Sequence, residues 1–436
     1  MKNKLSSRFL LALTVCSLVG QIAWVVENMY LNVFIYKMFN ASASDISAMV
    51  AASAITATLT TVFIGALSDK LGKRKVFICG GYVLWGISIL AFMLLREDLI
   101  SAVFPAATSV SAIGVTSVII LDCLMTFFGS SANDAAFNAW LTDSTDSTNR
   151  GAAEGINAMM PLVAILAVFG GFMAFDLDLP SSWSCIFAII GGVVICVGIL
   201  GMFVIEEPRL DPKSDRYFKT VVHGFLPSTI VANRALYLHL IAFIIFNISI
   251  QIFMPYLILY YEVSLGMTNY VLVMAPAIIL ASIATVIWGK VYDRRGFSFS
   301  AAVSLSCLSL GYVLLFLFRS MPLVFAGSLL MMCGYLSGMA VFGAKIRDLT
   351  PIGKSGQFQG VRIFSQVLLP GVIGPYVGAA VLSGADKIVN NDGTESFVPS
   401  RSIFLAALAA IALLFIAVAV FKTIANAKAR PANFSK

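Results

Sequence analysis

Long apolar runs recur along the whole chain, separated by short polar breaks. Twelve can be placed, at roughly 9–38, 44–68, 76–95, 112–141, 151–175, 182–205, 236–261, 268–290, 298–318, 321–345, 357–383 and 401–423. An α-helix needs about 20 apolar residues to cross the hydrocarbon of a bilayer, and each run supplies roughly that. None alternates apolar and polar positions as a barrel strand would, so the runs predict spanning helices. The longest polar stretch, Glu206 to Arg234, is rich in charge and holds Pro208, Pro212 and Pro227. It predicts two six-helix bundles, 1–205 and 236–436, joined by a linker over 206–235. Met1 to Gly20 has the basic start and apolar run of a signal peptide. The run continues to about Met38 without a small-residue cleavage site, so it reads as the first spanning helix.

Composition agrees with a lipid solvent. Of the 436 residues 59% are apolar and 12% charged, about half the charged share of water-facing domains. The net charge of +7 gains meaning only from position. With the N-terminus inside, 24 of the 29 Lys and Arg residues fall on the cytoplasmic side. Lys37, Arg96, Arg319, Lys387 and Arg401 remain outside. This is the positive-inside pattern, which places both termini in the cytoplasm of a cell membrane. It accounts for the basic charge without a nucleic-acid partner. The seven cysteines lie in apolar runs and form no CxxC pair, and His223 and His239 sit in or beside the linker. They read as small buried residues and as no metal set. The residues form no nucleophile–base pair and no phosphate loop, so neither an enzyme nor a cofactor is expected. No obligate protein partner is marked.

Two signatures occur twice. After the second run comes Gly65-Ala66-Leu67-Ser68-Asp69-Lys70-Leu71-Gly72-Lys73-Arg74-Lys75; after the eighth comes Gly289-Lys290-Val291-Tyr292-Asp293-Arg294-Arg295-Gly296. After the fourth come Asp143, Gly151, Glu154 and Gly155; after the tenth, at the same spacing, Asp348, Gly356, Gln359 and Gly360. The halves therefore read as parallel repeats about an axis along the membrane normal. The first loop, through Gly65, Leu67, Asp69, Lys70, Gly72, Lys73 and Arg74, resembles the signature of the major facilitator superfamily, and the likeness covers the whole chain. It implies twelve helices in two pseudo-symmetric six-helix bundles around a cavity that opens alternately to each side. A narrower likeness links the first five helices to the glycoside–pentoside–hexuronide cation symporters. There an aspartate on helix four precedes a phenylalanine by three residues, as Asp134 precedes Phe137, and Met29-Tyr30-Leu31 is also similar. That family's sugar-binding aspartate falls on Gln21 here, and its paired cation-site aspartates fall on Ala57 and Thr61.

The loop motif has its own physics. Gly65 permits close helix approach, Gly72 a tight turn, and Asp69 a charge pair or a hydrogen bond at a helix end. A bistable cytoplasmic latch is expected from Gly65, Asp69, Gly72, Arg74, Asp143, Arg150, Glu154, Asp293, Arg294, Gly296, Arg347 and Asp348. Arg150, Glu154 and Arg347 are the expected partners across the bundle. The plainer reading is a set of anchoring charges.

A charge within a span costs about 2.5–3.5 kcal/mol on insertion scales, so embedded acids should face inward. Glu27, Asp122 and Asp134 qualify. On helix four, Asp122, Thr126, Ser130, Asn133 and Phe137 form one stripe at the helical period, with Asp134 about 100° round beside Asn138. On helix one, Gln21, Trp24, Asn28 and Asn32 form another, with Glu27 turned toward a neighbouring helix. Asn247, Gln251 and Tyr256 lie on helix seven, and Arg362 and Gln366 on helix eleven. The site expected is a central cavity. Its amides hydrogen-bond a small polar solute such as a sugar, Trp24 and Tyr256 stack on it, and an acid binds a proton or monovalent cation. Arg362 would touch solute, pair with Asp134, or snorkel. The plainer reading of the amides is interhelical glue. Gly371, Gly374, Pro375 and Gly378 are similar to a glycine–proline pattern of drug–proton antiporters. That pattern belongs on helix five, where only Gly170-Gly171 stand, so packing and a kink are expected here. The function expected is proton- or cation-coupled symport. An efflux antiporter is the alternative of the same class, and a membrane sensor on a transporter fold that of another.

Overall fold

The computed structural model describes residues 5–107, 109–146, 149–207, 224–267, 269–351, 355–389 and 395–429. The middle of the expected linker, 208–223 with Pro208, Pro212 and His223, lies outside these, as do the surroundings of Gly356 and the side chain of Gln359. Among the described residues ten helices are long and apolar enough to cross a membrane. One of them, Val271–Leu317, runs for 47 residues and contains Gly296 at φ 76°, ψ 179°. Only glycine holds that conformation, so the run is two spans meeting at a corner. Ser402–Ala429, apolar over Ser402–Ile416, adds the last. The spans are α1 Ser7–Phe39, α2 Ala43–Leu71, α3 Lys75–Leu94, α4 Val110–Asp143, α5 Arg150–Phe172, α6 Pro180–Val204, α7 Arg234–Ser264, α8 271–295, α9 297–317, α10 Met321–Leu349, α11 355–382 and α12 Ser402–Ala429.

Local sequence sets the ends. Asn40, in the left-handed region at φ 49°, stops α1, and Ser42 with Asp45 forms a capping box that starts α2. Gly72 at φ 61° ends α2 and turns the chain into α3. Between α11 and α12 a hairpin pairs β1 Lys387–Val389 with β2 Glu395–Phe397, antiparallel.

Four spans contain a wide, π-helical stretch: Val26–Tyr30 in α1, Ser130–Phe137 in α4, Tyr260–Ser264 in α7 and Phe364–Leu368 in α11. Each inserts an extra residue into a turn and re-aims the side chains beyond it, a distortion frequent at functional sites. Glu27, Asn28, Asn133, Asp134, Glu262 and Gln366 all lie on these stretches.

Small residues let the spans approach. A Cβ added to Gly311 on α9 would stand 2.5 Å from the Met331 backbone nitrogen on α10. Glycines on α11 do the same at the seam between the sets of six: a Cβ at Gly371 would meet Ala54 Cβ of α2 at 2.6 Å. Gly374 and Gly378 lie as tightly against Gln251 and Ile252 of α7. Close packing is thus what the α11 glycines do here. By contrast Gly289, in the second loop copy, has nothing near it. The close approach ascribed to Gly65 has no counterpart there. Leu59, Phe63, Ile120, Phe203 and Val286 are exposed on the exterior, as lipid-facing side chains should be. Cys185 and Cys196 are exposed there too, while Cys16 and Cys79 are buried.

Candidate functional site

The loops after α2, α4, α8 and α10 lie on the face that holds most of the Lys and Arg residues; we call it the basic face. Near mid-span, α1, α2 and α4 bring Glu27 together with the hydroxyls of Ser53 and Thr126, with Asp122 one turn before Thr126 on α4; Ser130 and Asp134 lie further along α4 toward the basic face. Glu27 Oε1 accepts from Ser53 Oγ at 2.9 Å and Thr126 Oγ1 at 2.8 Å, and the two hydroxyls stand 2.7 Å apart. Glu27 therefore addresses α2 and α4, as its angular offset on α1 suggested. Asp122 is 2% exposed and close enough for its charge to act on Glu27. Glu27 Oε2 and Asp122 Oδ1 are buried and accept no hydrogen bond. Asp134, half-buried, accepts from Ser130 Oγ at 3.0 Å. Among the described residues no Lys, Arg or His forms an ion pair with any of these three acids. Arg362 is not the partner of Asp134. It stands near Arg347, one turn before Gln366, and forms no ion pair with a described residue.

The stripe expected on α4 is broken at Ser130, where the π-helical turn begins. Asp134 stays in line with Ser130, while Asn133 turns to α3 and donates to Tyr82 Oη at 2.7 Å. Asn133 is buried against Gly20 of α1 and faces no open space. On α1, Asn28 is exposed at mid-span, and Gln21 and Trp24 are half-buried. Asn28 Nδ2 donates to Trp24 O at 2.8 Å, and Asn32 Nδ2 to Asn28 O at 2.8 Å, satisfying carbonyls around the π turn. Asn32 is fully buried and its Oδ1 has no partner. On α7, Asn247 Nδ2 donates to Phe243 O at 2.8 Å, and Gln251 is half-buried one turn on. Gln366 is half-buried on α11, and Asn138, near the basic face, is exposed. Tyr256 is placed otherwise than a stacking role requires. It is fully buried, and its hydroxyl bonds Ser47 Oγ at 2.7 Å and Ala43 O at 3.0 Å. No face of its ring is free for a solute in this conformation.

On the basic face Arg74 is the hub, only 3% exposed. It pairs with Asp69, donates from Nε to Asp143 Oδ2 at 3.0 Å and from Nη1 to Ser68 Oγ at 2.7 Å. Glu207 accepts from the backbone N–H of Arg74 and, at 3.1 Å, of Lys75, where the positive end of the α3 dipole lies. The partner of Asp69 is thus five residues away, not across the bundle. The turn at Gly72 folds Arg74 onto it before any distant group can compete. Arg150 folds back to the Thr142 and Thr145 carbonyls, at 3.0 and 2.9 Å, closing the end of α4. Glu154 and Arg347 are exposed. In the second copy Asp293, Arg294 and Gly296 are exposed, and Tyr292 donates to Asp348 at 2.7 Å.

The opposite face carries a cluster that sequence reasoning missed. Lys37 of α1 pairs with Glu262 of α7, and with Asp178 of the α5–α6 connection at 2.9 Å. Its side chain is 8% exposed. Tyr36 Oη donates to Phe397 O at 2.7 Å, Ser396 Oγ to Asn40 Oδ1 at 3.0 Å, and Tyr270 Oη to Tyr30 Oη at 3.0 Å. Phe397 wedges its ring between Tyr36 and Tyr256. Apart from Lys37–Asp178, these bonds join the first six spans to the last six. Partners more than 200 residues apart leave no periodic trace; the only hint was that Lys37 is one of five basic residues off the basic face.

Known proteins place this arrangement. No curated protein sequence matches the chain. Among solved structures, a mutant of the nucleoside transporter NupG superposes with a TM-score of 0.74 at 11% identity, over 93% of this chain and 98% of its own. A bacterial homolog of the human lysosomal transporter Spinster, inward-facing and unoccupied, gives 0.68 at 15% identity, over 95% and 96%. The xylose transporter XylE from E. coli, partially occluded and inward open, gives 0.65 at 14% identity, over 94% and 98%. These likenesses establish the fold. The family model of the Major Facilitator Superfamily matches residues 13–375, and with twelve spans in this arrangement the chain belongs to that superfamily of membrane transporters.

Proposed function

We propose that this protein carries a small polar solute across the cell membrane by alternating access, driven by symport of a proton or monovalent cation. The basic face lies in the cytoplasm with both ends of the chain, and the working units are 1–205, 206–235 and 236–436. One observation carries the coupling. Two buried carboxylates, Glu27 and Asp122, keep oxygens without a hydrogen bond and have no cationic partner among the described residues. Uncompensated buried charge is costly, so the pair is a place where a small cation binds. Beside it on α1, Gln21, Trp24 and Asn28 form a polar, partly open row at mid-span, and Gln251 on α7 and Gln366 on α11 are half-buried. Polar groups open at that depth face a water-filled cavity, since lipid would penalise them. The bonds that cross between the sets of six lie on the face away from the cytoplasm. On this reading the conformation is sealed outside and is the one that serves the cytoplasmic side.

The test is uptake into proteoliposomes. Uridine and D-xylose head the panel because nucleoside and xylose carriers share the fold, with neutral and charged amino acids as the contrast. Uptake of one solute under an inward proton or sodium gradient, abolished in Glu27→Gln and in Asp122→Asn, is expected. Uptake that stays fully gradient-driven in both variants rules out the coupling site.

A further inference from the structure

Resting on the symport reading, we propose that α4 carries a proton path. It runs from Asp134 near the cytoplasmic face through the hydroxyls of Ser130 and Thr126 to the occluded Glu27–Asp122 pair, apart from the solute cavity.

The geometry is a ladder. Asp122 and Asp134 are 12 residues apart on one helix, about 18 Å along its axis. Between them Thr126 and Ser130 stand one turn apart. Ser130 Oγ is 3.0 Å from Asp134 Oδ2, and Thr126 Oγ1 is 2.8 Å from Glu27 Oε1. Ser53 Oγ braces the upper end from α2, 2.7 Å from Thr126 Oγ1. Helix neighbours four residues apart have Cβ atoms about 5–6 Å from each other. One bridging water or one hydroxyl rotation closes that single gap.

Access differs along the ladder. Asp134 is half-buried and lies one turn before exposed Asn138, whereas Glu27 and Asp122 are 6% and 2% exposed. In this conformation a proton reaches the upper pair most readily by entering at Asp134. A hydroxyl both donates and accepts, so it passes a proton by rotation, which neither an amide nor a valine can do. Ser130 is the first residue of the π-helical stretch, which keeps Asp134 in line with it and turns Asn133 away. Among the described residues, the other titratable groups beside the path are Cys123 on α4 and Tyr82 on α3. Ser53, Thr126 and Ser130 are positioning residues that act through the acids.

The test needs no solute, so it stands whether or not a transported compound is found. The protein is reconstituted in liposomes, and the C=O stretch of protonated carboxyl groups is followed by infrared difference spectroscopy after a rapid drop in pH. Glu27→Gln and Asp122→Asn identify the bands of the pair. Asp134→Asn and Thr126→Val should keep those bands but slow their appearance about a hundredfold, the low end of what a positioned proton-transfer group supplies. Thr126→Ser should restore the rate. Thr116→Val, which removes an exposed hydroxyl elsewhere on α4, should leave it unchanged. Wild-type rates in both Asp134→Asn and Thr126→Val overturn the path. So does a matching band change produced by sodium at constant pH, which would assign the pair to a metal cation.

Discussion

The two faces of the molecule are tied in different ways. On the outer face the bonds cross between the sets of six: Lys37 with Glu262, Tyr36 with Phe397, Asn40 with Ser396. On the basic face the ties formed by Arg74 stay within the first six spans, and that of Tyr292 stays within the last six. A bond inside one set survives when the sets rock against each other, whereas a bond between them must break. Stability of each set and balance between conformations are therefore held by different residues, and substitutions should separate them.

Arg74 gives the largest effect. Removing a buried charge that satisfies two carboxylates leaves those acids unpaired, at a cost of about 3–5 kcal/mol. Arg74→Ala should lower the thermal unfolding midpoint sharply in detergent. Arg294→Ala, in the second copy at the place of Lys70, removes an exposed charge worth about 0–1 kcal/mol. Equal losses in the two variants would break the distinction between the copies.

Lys37→Gln comes next and should move a different quantity. Truncating one partner of a buried pair costs about 2–5 kcal/mol, but here the loss falls only on the sealed conformation. At the low end, about 2 kcal/mol shifts the balance about thirtyfold toward the outward-open form. Labelling of Asn40→Cys by an impermeant maleimide should speed up accordingly, with the unfolding midpoint changed little. Lys37 also holds Asp178, which belongs to the same set of six, so it keeps a partner when the outer face opens.

Much of the fold was legible because a bilayer enforces it. An unbroken apolar run has one stable form in hydrocarbon, and the corner at Gly296 follows from a glycine that ends a repeated motif. The acids were legible for the same reason, since a charge at mid-span cannot face lipid. Their wiring was not. The stripe on α4 assumed a uniform helical period, and the π-helical turn at Ser130 broke it, sending Asn133 to Tyr82. Propensity does not announce such a turn; packing against neighbouring spans selects it. The partner of Asp69 was misplaced because reach was judged across the bundle, without the fold-back that Gly72 permits.

Gly371→Ala tests the seam with an effect of about 1–2 kcal/mol. Alanine gains up to about 1 kcal/mol of helix propensity. The added Cβ would stand 2.6 Å from Ala54 Cβ, and overpacking of that kind costs about 1–3 kcal/mol. The clash should win, and because it crosses the sets it should also speed labelling of Asn40→Cys. Gly289→Ala meets nothing and should raise the unfolding midpoint slightly. A stabilised Gly371→Ala would mean that the seam yields more readily than its packing implies.

Tyr292→Phe is the smallest and the most discriminating. It deletes one hydrogen bond to Asp348, an exposed acceptor that water can serve. The net value of such a bond is about 0.5–1.5 kcal/mol, toward the low end where the acceptor stays hydrated. The unfolding midpoint should barely move, and labelling at position 40 should not change, because the bond lies within one set and on the basic face. If labelling did change, the second loop copy would be restraining the sets against each other as the first does not, and the two faces would no longer be governed by separate residues.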